Sequence, residues 1–536
     1  MRALIVGSGA AAAGAALALT SRPDVDVTVV DIGAELEAAN RASAARLSRL
    51  PAPELASAGT ADLGFLAPSP ARGELPEKRL FGSSFPFADH GQLTGVEALG
   101  RANPKAVSGA YGGFSNVWGA QMMPFSSSSF RDWPVRASEM APHYRAICDH
   151  VPVAGEHDDL AEIFPYAAAP QPLPLLAPRT VMVMGNYSRH RASLRRRGVI
   201  AGHSRLAMRP GACVRCGLCM TGCPHSLIYS ASQTFDELRR RGRVHYRSGL
   251  LAYRVRETGG VPYVLALEAD SGRSVELSAD RIYLACGALG TTRLVLGSLG
   301  AVGHEVPLVE SAQFIFPALS KRPAPDPTKL HGFTLGQFNV VVGYGPDGAF
   351  DSSQVAQVQF YPYNTAVAAA LPGLLQLKSF CSLRTALLSR LTIGLGYLPS
   401  SASRKLAVKV PSPPAGRLAP LQFYESGPAD ESGALGPVLR KLLSAAHMLD
   451  LWPVLPQVRM ARPGMGYHFG GSFPHRPGNA RVSRFTTDRT GRLPEWRRVH
   501  LVDGAVFPTV PATTFVMTLM ANAHRIAGES LDLSED

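Results

Sequence analysis

The pattern of apolar residues at the start of the chain predicts a β-α-β unit. Residues 2–6 (RALIV) form a short apolar run that is typical of a buried strand, and residues 25–31 (VDVTVVD) form a second one. The stretch between them, residues 7–21, is rich in glycine and alanine and predicts a turn followed by a helix.

The turn of this unit carries a glycine pattern that is typical of dinucleotide-binding proteins. Gly7 is expected to make the tight turn, and Gly9 to let the backbone approach a pyrophosphate at the helix N-terminus. Ala12 takes the third position, where a small residue lets helix and strand pack closely. Asp31 ends the second strand and can accept hydrogen bonds from ribose hydroxyls. The pattern predicts a dinucleotide without distinguishing FAD from NAD.

Three later segments have recognisable apolar patterns. Residues 279–298 (ADRIYLACGALGTTRLVLGS) predict a strand, a glycine turn and a helix, with Cys286 as a small packing residue. Residues 514–531 predict another helix. Residues 364–399 are apolar with scattered Lys and Arg, which favours a helical part of a substrate domain covering a sheet. A peripheral contact with a membrane or a hydrophobic access channel is the alternative for this segment.

Residues 109–125 (GAYGGFSNVWGAQMMPF) suit a backbone that passes close to a flat ligand. Gly113 removes bulk from this stretch, while Ser115 and Asn116 can form hydrogen bonds with a ring edge, and Trp118 follows them. A glycine-rich structural loop is the alternative interpretation.

The end of the chain holds the candidate chemistry. His468 lies in a glycine-rich stretch (GYHFGGSFPH, residues 466–475), and an imidazole is the natural base for removing a proton from an alcohol. Asp503 is expected at a strand end. The helix that follows is expected to direct backbone amides from about Ala512 to Phe515 towards a developing negative charge.

Four of the seven cysteines lie within residues 213–223 (CVRCGLCMTGC), followed by a proline. This is the bacterial ferredoxin spacing, and it favours a [4Fe-4S] cluster held by Cys213, Cys216 and Cys219. The fourth ligand is Cys223, a remote cysteine or none, because no second cysteine run is present. A zinc site and a segment that binds no metal are the alternatives.

Composition excludes some classes of function. The chain has 536 residues, of which 46% are hydrophobic, enough for a large core and more than one domain. The net charge of +13 comes without a dense basic block interleaved with aromatic residues, so we expect no nucleic-acid partner. The first twenty residues imitate a signal peptide, but their glycines lead into a β-α-β unit. We therefore expect a cytoplasmic protein without a membrane span.

Taken together, five segments resemble the GMC (glucose–methanol–choline) oxidoreductases. They are VGSGAAAAG, GGFSNVWG, LACGALGTTRLVLGS, GYHFGGSFP and VDGAVFPTVPATTFVMTLMANAHRIA, and the resemblance runs through most of the chain except parts of residues 40–95 and 300–450. It implies FAD, a substrate domain with a large antiparallel sheet, and oxidation of a CH–OH group. No His lies in the SNVWG stretch, where some relatives attach the flavin, so we expect the FAD to be non-covalent. The cysteine run resembles that of a bacterial subgroup.

The resemblance also implies roles for residues. His468 takes the position of the catalytic histidine, and the second catalytic position, His or Asn in the family, falls near Thr513 or Thr514. Thr is a poor base, so His468 would carry the proton transfer alone, with His475 as a less favoured helper. The residues assigned to the cofactor are Gly7, Gly9, Ala12, Asp31, Gly113, Ser115, Asn116, Trp118, Gly287, Thr291, Asp503, Gly504, Ala512, Thr514 and Phe515.

The predicted fold is α/β, with a Rossmann-like FAD-binding domain and an α+β substrate domain. Residues 1–150, 200–300 and 462–536 are assigned to the first domain, which carries the cysteines, and residues 151–199 and 301–461 to the second.

The leading hypothesis for function is an FAD-dependent dehydrogenase of a sugar, an aminoglycoside-like pseudosaccharide or a polyol. It passes electrons through the cluster to an external acceptor. An H2O2-forming oxidase of a hydrophobic, sterol-like alcohol is the alternative enzyme. A flavin and iron–sulfur electron-transfer protein is the alternative of another class.

Overall fold

The structure is a computed structural model of the chain. It describes every residue except 52–53, 56–77, 88–95, 101–106, 331, 346–349, 365–376, 412–419, 428–431, 478–481 and 534–536. Residues 365–376 of the predicted apolar segment 364–399, which was considered as a whole for a membrane contact, therefore lie outside the described residues.

The described residues form both α-helices and β-strands. The helices are α1 (Ala10–Thr20), α2 (Ala38–Leu47), α3 (Ala137–His150), α4 (Pro178–Arg196), α5 (Ala231–Arg240), α6 (Ala288–Ser298), α7 (Cys381–Leu388), α8 (Ser432–Leu449) and α9 (Val516–Leu531). The strands are β1 (Arg2–Val6), β2 (Asp26–Val30), β3 (Val96–Ala98), β4 (Val153–Ala154), β5 (Val199–His203), β6 (Leu206–Ala207), β7 (Val244–Arg247), β8 (Leu250–Thr258), β9 (Val261–Glu268), β10 (Ser274–Ser278), β11 (Arg281–Leu284), β12 (Glu305–Glu310), β13 (Gln313–Leu319), β14 (Phe338–Gly343), β15 (Val355–Tyr361), β16 (Leu391–Tyr397), β17 (Leu406–Lys409), β18 (Leu421–Glu425), β19 (Trp452–Pro453), β20 (Arg459–Met460), β21 (Phe469–Gly470) and β22 (Val499–Leu501).

A five-stranded parallel sheet brings the two ends of the chain together. Its order is β22-β11-β1-β2-β7, so the first strand of the chain and the last one belong to the same sheet. Strand β1 is buried along all but its first residue, as expected for a parallel strand covered on both faces. The predicted β-α-β unit is present as β1, α1 and β2.

Helix α1 packs against α9, the last helix of the chain. The side of α1 that meets α9 includes Gly14, where an added Cβ would lie 2.2 Å from the carbonyl oxygen of Met520. Nine consecutive residues of α1, Ala11 to Leu19, are buried. A run of alanines and a glycine thus lets two helix backbones approach closely.

The second large sheet is antiparallel and has the order β19-β13-β16-β15-β14-β5, with β20 also paired to β13. Its two faces differ because side chains alternate along each strand. On one face Phe314, Phe316, Phe338 and Phe360 form a core with apolar residues of α4 and α8. The opposite face forms one wall of a large cavity.

The α/β fold class predicted from the sequence is confirmed, but the helical prediction for residues 364–399 is wrong for most of its described part. Residues 391–397 form strand β16 in the middle of the antiparallel sheet, and only Cys381–Leu388 of the described part of 364–399 is α-helical. The division into two domains stays a prediction. Within the described ranges, no helix is both long and apolar enough to cross a membrane.

The close contact between α1 and α9 yields a prediction for Gly14→Ala. The added methyl group collides with backbone and not with a flexible side chain, so we expect the free energy of unfolding to fall by about 1–3 kcal/mol. Urea unfolding followed by circular dichroism measures the change.

Gly185→Ala is the matched control, because nothing lies within 4 Å of an added Cβ at this exposed position in α4. It should raise stability slightly, since alanine favours the helix. Equal effects of the two substitutions would contradict the proposed packing.

Candidate active site

A cavity of about 1130 Å³ lies between the parallel sheet and the antiparallel sheet. It is lined by the glycine turn after β1, the end of β2, the segment around residue 115, the turn before α6, the His468 loop and the residues before α9. The sequence-predicted residues that line it are Gly7, Gly9, Asp31, Gly113, Ser115, Trp118, Gly287, His468, Asp503, Gly504, Thr514 and Phe515.

The other predicted residues do not line the cavity. Ala12 is buried within α1, and Ala512 is buried before α9. Asn116 donates hydrogen bonds to the carbonyl oxygens of Tyr111 (2.9 Å) and Gly113 (2.7 Å), so it shapes its own loop. The hydroxyl of Thr291 donates to the Asp503 carboxylate at 2.5 Å, and Thr513 lies against the sulfur of Met123 at 4.0 Å.

The turn after β1 has the features of a dinucleotide cradle. Gly7 has a φ of 106°, and an added Cβ there would lie 2.5 Å from the carbonyl oxygen of Ala285, so only glycine fits. Beside Gly9 the space is open, and no side chain caps the N-terminus of α1. Its first backbone amides are therefore available to an anionic group in the cavity.

Asp31 lies at the end of β2 beside this turn. Its carboxylate accepts hydrogen bonds from the hydroxyls of Ser8 and, at 3.4 Å, Tyr246. Burial raises the pKa of Asp31 to about 7, partly opposed by these hydrogen bonds. A carboxylate in this position is a suitable acceptor for the hydroxyls of a ribose.

Three hydrogen bonds fix the loop that carries His468 to β12, to β13 and to the connection between these strands. The Gly464 amide donates to the Glu310 carboxylate at 3.0 Å, and the Ser311 amide donates to the His468 carbonyl oxygen at 3.2 Å. The Gln313 side chain donates to the Gly466 carbonyl oxygen at 2.9 Å. Burial raises the pKa of Glu310 to about 7.

The imidazole of His468 is held between two aromatic rings inside the cavity. It stacks on Tyr397, with centroids 5.1 Å apart and planes 13° apart, and contacts Phe515 at 4.8 Å. Its Nδ1 is buried without a hydrogen-bond partner. Burial lowers the pKa of His468 to about 4, so the ring is neutral at pH 7 and able to accept a proton.

Two further polar groups face the same space. The hydroxyl of Thr514 is buried without a hydrogen-bond partner in a side chain that lines the cavity. Asp503 accepts from Thr291 and from the Ala505 amide at 2.9 Å, and burial raises its pKa to about 6. The helix α9 begins at Val516, after Thr514 and Phe515.

His475 does not reach the cavity. Its Nδ1 lies 2.7 Å from the Asp488 carbonyl oxygen and 3.1 Å from the Thr487 hydroxyl, and its other nitrogen faces Asn522 at 3.4 Å. The structure therefore gives it a packing position outside the candidate site, not the helper role.

Sequence reasoning missed several cavity residues. Lys78 lines the cavity and donates to the Trp118 carbonyl oxygen at 3.0 Å, and burial lowers its pKa to about 8. Gln359, Tyr361 and Tyr397 come from the antiparallel sheet. None of these residues belongs to a motif. An alternating pattern in 355–361 was the one signal that pointed to a strand.

The arrangement of the cysteines does not support the predicted iron–sulfur cluster. Across the part of the chain that the structure describes, no group of three or more His, Cys, Asp or Glu side chains is placed to hold a metal ion. Burial raises the pKa of Cys213 and Cys223, and that of Cys216 to about 12. Cys219 accepts a hydrogen bond from the Thr334 amide at 3.4 Å.

Comparisons with known proteins identify a similar solved structure. No protein-family model matches the chain, and no curated protein matches it in sequence. The crystal structure of pyridoxine 4-oxidase from Mesorbium loti is similar with a TM-score of 0.61, covering 99% of this chain and 99% of that chain at 14% sequence identity. At this identity, the similarity shows a shared fold.

The lowered pKa values of two buried histidines, His475 and His500, predict that they destabilise the folded protein in acid. Burial lowers the pKa of His475 to about 3 and that of His500 to about 4. Between pH 6.5 and about 4 the unfolded chain binds protons on these two histidines that the folded chain does not, so their contribution to the free energy of unfolding should fall as the pH is lowered through this range. The raised pKa values of the buried carboxyls Asp31, Glu310 and Asp503 have the opposite effect, so the histidine contribution is measured as the difference between the wild-type protein and a variant that lacks the histidine. Urea midpoints measured from pH 7 to pH 4.5 test this.

His500→Phe should reduce the loss of unfolding free energy at low pH, because phenylalanine cannot bind a proton. It retains a ring against Tyr283, so the packing is kept. His190→Phe, on an exposed part of α4, is the control and should leave the dependence as it is. An unchanged slope in His500→Phe would contradict this account.

Proposed function

We propose that the protein is an FAD-dependent oxidoreductase that oxidises the CH–OH group of a small-molecule alcohol to a carbonyl. One observation carries the proposal: the glycine turn suited to a dinucleotide and the neutral His468 line the same cavity. The overall fold, similar to that of a solved pyridoxine 4-oxidase, supports it.

The residues in the cavity fit FAD. The open space at Gly9, the uncapped amides of α1 and the Asp31 carboxylate suit the dinucleotide part. The unpartnered hydroxyl of Thr514 and the segment around Ser115 and Trp118 suit a flat polar ring. When bound, FAD supplies a two-electron acceptor for hydride.

In this proposal His468 holds the proton that leaves the alcohol. Its Nδ1 is sealed in the protein, so Nε2 is the atom that accepts the hydroxyl proton. Stacking on Tyr397 and contact with Phe515 fix the plane of the ring. Thr514 orients a polar group nearby but cannot serve as a base, so the proton transfer depends on His468 alone.

The electrons leave to an external acceptor that enters the cavity, and we propose no step through the cysteines. Gln457 and Arg459 are exposed residues that line the cavity, so they mark an opening to solvent. The side chains of the cysteine segment do not fit a cluster, as described above. Oxygen is one candidate acceptor, and formation of H2O2 in air identifies it.

His468→Asn is the direct test of the base. We expect the turnover number to fall by about 10²- to 10⁴-fold, because a positioned base contributes about that much to proton removal. Carbonyl formation from an alcohol, measured with an electron-accepting dye, gives the rate. His447→Asn, at an exposed position in α8, should keep the wild-type rate, and an active His468→Asn enzyme would overturn the assignment.

Protein purified without oxygen should not contain iron or acid-labile sulfide in stoichiometric amounts. Replacing Cys216 by Ser should then leave turnover with the dye unchanged, because the cysteines take no part in the proposed reaction. If the protein contains about four irons per chain and Cys216→Ser loses them, the iron–sulfur cluster predicted from the sequence is present and this account is wrong.

A further inference from the structure

We propose that the substrate is an alcohol with an elongated apolar body, and that the antiparallel sheet binds this body along one row of side chains. The inference rests on the proposed function, since it takes His468 as the position of the reacting hydroxyl. It replaces the sugar or polyol expected from the sequence.

The row begins directly beneath His468. Tyr397, on which the imidazole stacks, pairs with Gln313 across β16 and β13. The next pair along the same face is Leu395 with Ile315. Because side chains alternate between faces, every second residue of each strand continues this row.

The rest of the row is apolar. Ile393 pairs with Pro317, and Leu391 pairs with Leu319. These residues, together with Ile315 and Leu395, all line the cavity, and Leu387 and Val454 contribute further apolar surface. From Leu395 to Leu391 the strand rises about 13 Å, so the apolar part of the row is longer than a small polar substrate.

The polar side chains of this wall are largely engaged with the protein. Gln313 donates to the Gly466 carbonyl oxygen, and the Tyr361 hydroxyl donates to the Gln359 side-chain oxygen at 3.1 Å. The amide nitrogen of Gln359 is buried without a partner, as is the side-chain oxygen of Gln121. Gln359 pairs with Leu395 across β15 and β16, so it lies beside the second position of the row. The two amide groups suit one or two polar atoms, whereas a polyol would leave most of its hydroxyls against the apolar row.

The distribution of charged side chains around the cavity also favours an apolar substrate body along this row. Among the described residues, the acidic side chains that line the cavity are Asp31 and Asp503, both on the side of the parallel sheet. Arg459 pairs with Ile315 across β20 and β13 and is exposed, so a charge stands at the rim. The row itself offers dispersion contacts and removal from water to a hydrocarbon body.

The test compares straight-chain primary alcohols from 1-butanol to 1-octanol with glycerol and sorbitol, using the holoenzyme. We expect kcat/KM to rise about fourfold for each added methylene, since each is removed from water on binding. Glycerol and sorbitol should be poor substrates. A chain-length slope near zero, or a polyol that outperforms 1-octanol, would overturn the inference.

Ile393→Thr tests the row itself. Threonine keeps the β-branched shape that suits a strand but places a hydroxyl in the row, so the increase of kcat/KM with chain length should become shallower. Val261→Thr, on an exposed position of β9, is the matched control and should keep the wild-type slope. An unchanged slope in Ile393→Thr would contradict the proposed row.

A binding readout separates this inference from the proposed function. 1-Octanol should raise the melting temperature of the holoenzyme more than 1-butanol does, and less so in Ile393→Thr. If no alcohol is oxidised but this pattern is present, the proposed reaction fails and the apolar binding row stands. If alcohols are oxidised without this pattern, the row fails and the reaction stands.

Discussion

The packing of α1 on α9 joins the two ends of the chain, and the candidate active site depends on it. At Gly14 the backbone of the first helix lies against the backbone of the last one, with no room for a side chain. Strand β22 enters the parallel sheet beside β11, which in turn pairs with β1. The residues that follow β22 therefore arrive at the same end of the sheet as the glycine turn that follows β1.

This closure explains how residues far apart in sequence come to line one cavity. Asp503 follows β22, and its carboxylate accepts the hydroxyl of Thr291 in α6, which begins after β11. The His468 loop is held from the other side by Glu310 of β12 and Gln313 of β13. The parallel sheet thus supplies the cradle, and the antiparallel sheet supplies the wall against which His468 stacks.

Local signals in the sequence predicted the cradle well. The β-α-β unit, the strand and helix around Gly287, and the helix α9 depend on short-range patterns, and all are present. The wall could not be predicted in the same way. Residues 391–397 were assigned to a helical segment, because both faces of this central strand are covered and its sequence lacks a clear polar alternation.

The same distinction between local and long-range information applies to the cysteines and to the second catalytic position. The spacing of Cys213 to Cys223 suits a cluster, but metal binding depends on how the backbone directs the side chains, and among the described residues these side chains are not placed to hold a metal ion. Thr513 and Thr514 were equivalent in sequence. The turn before α9 places Thr514 in the cavity and Thr513 against Met123.

The most direct test of the central claim is to identify the cofactor released from the purified protein by heat or acid. The account predicts about one FAD per chain, and a marked loss of it when Gly9 is replaced by Glu, whose carboxylate would stand in the open space where the pyrophosphate is expected. A protein that folds normally and releases no flavin, or releases a nicotinamide dinucleotide in its place, would contradict the account.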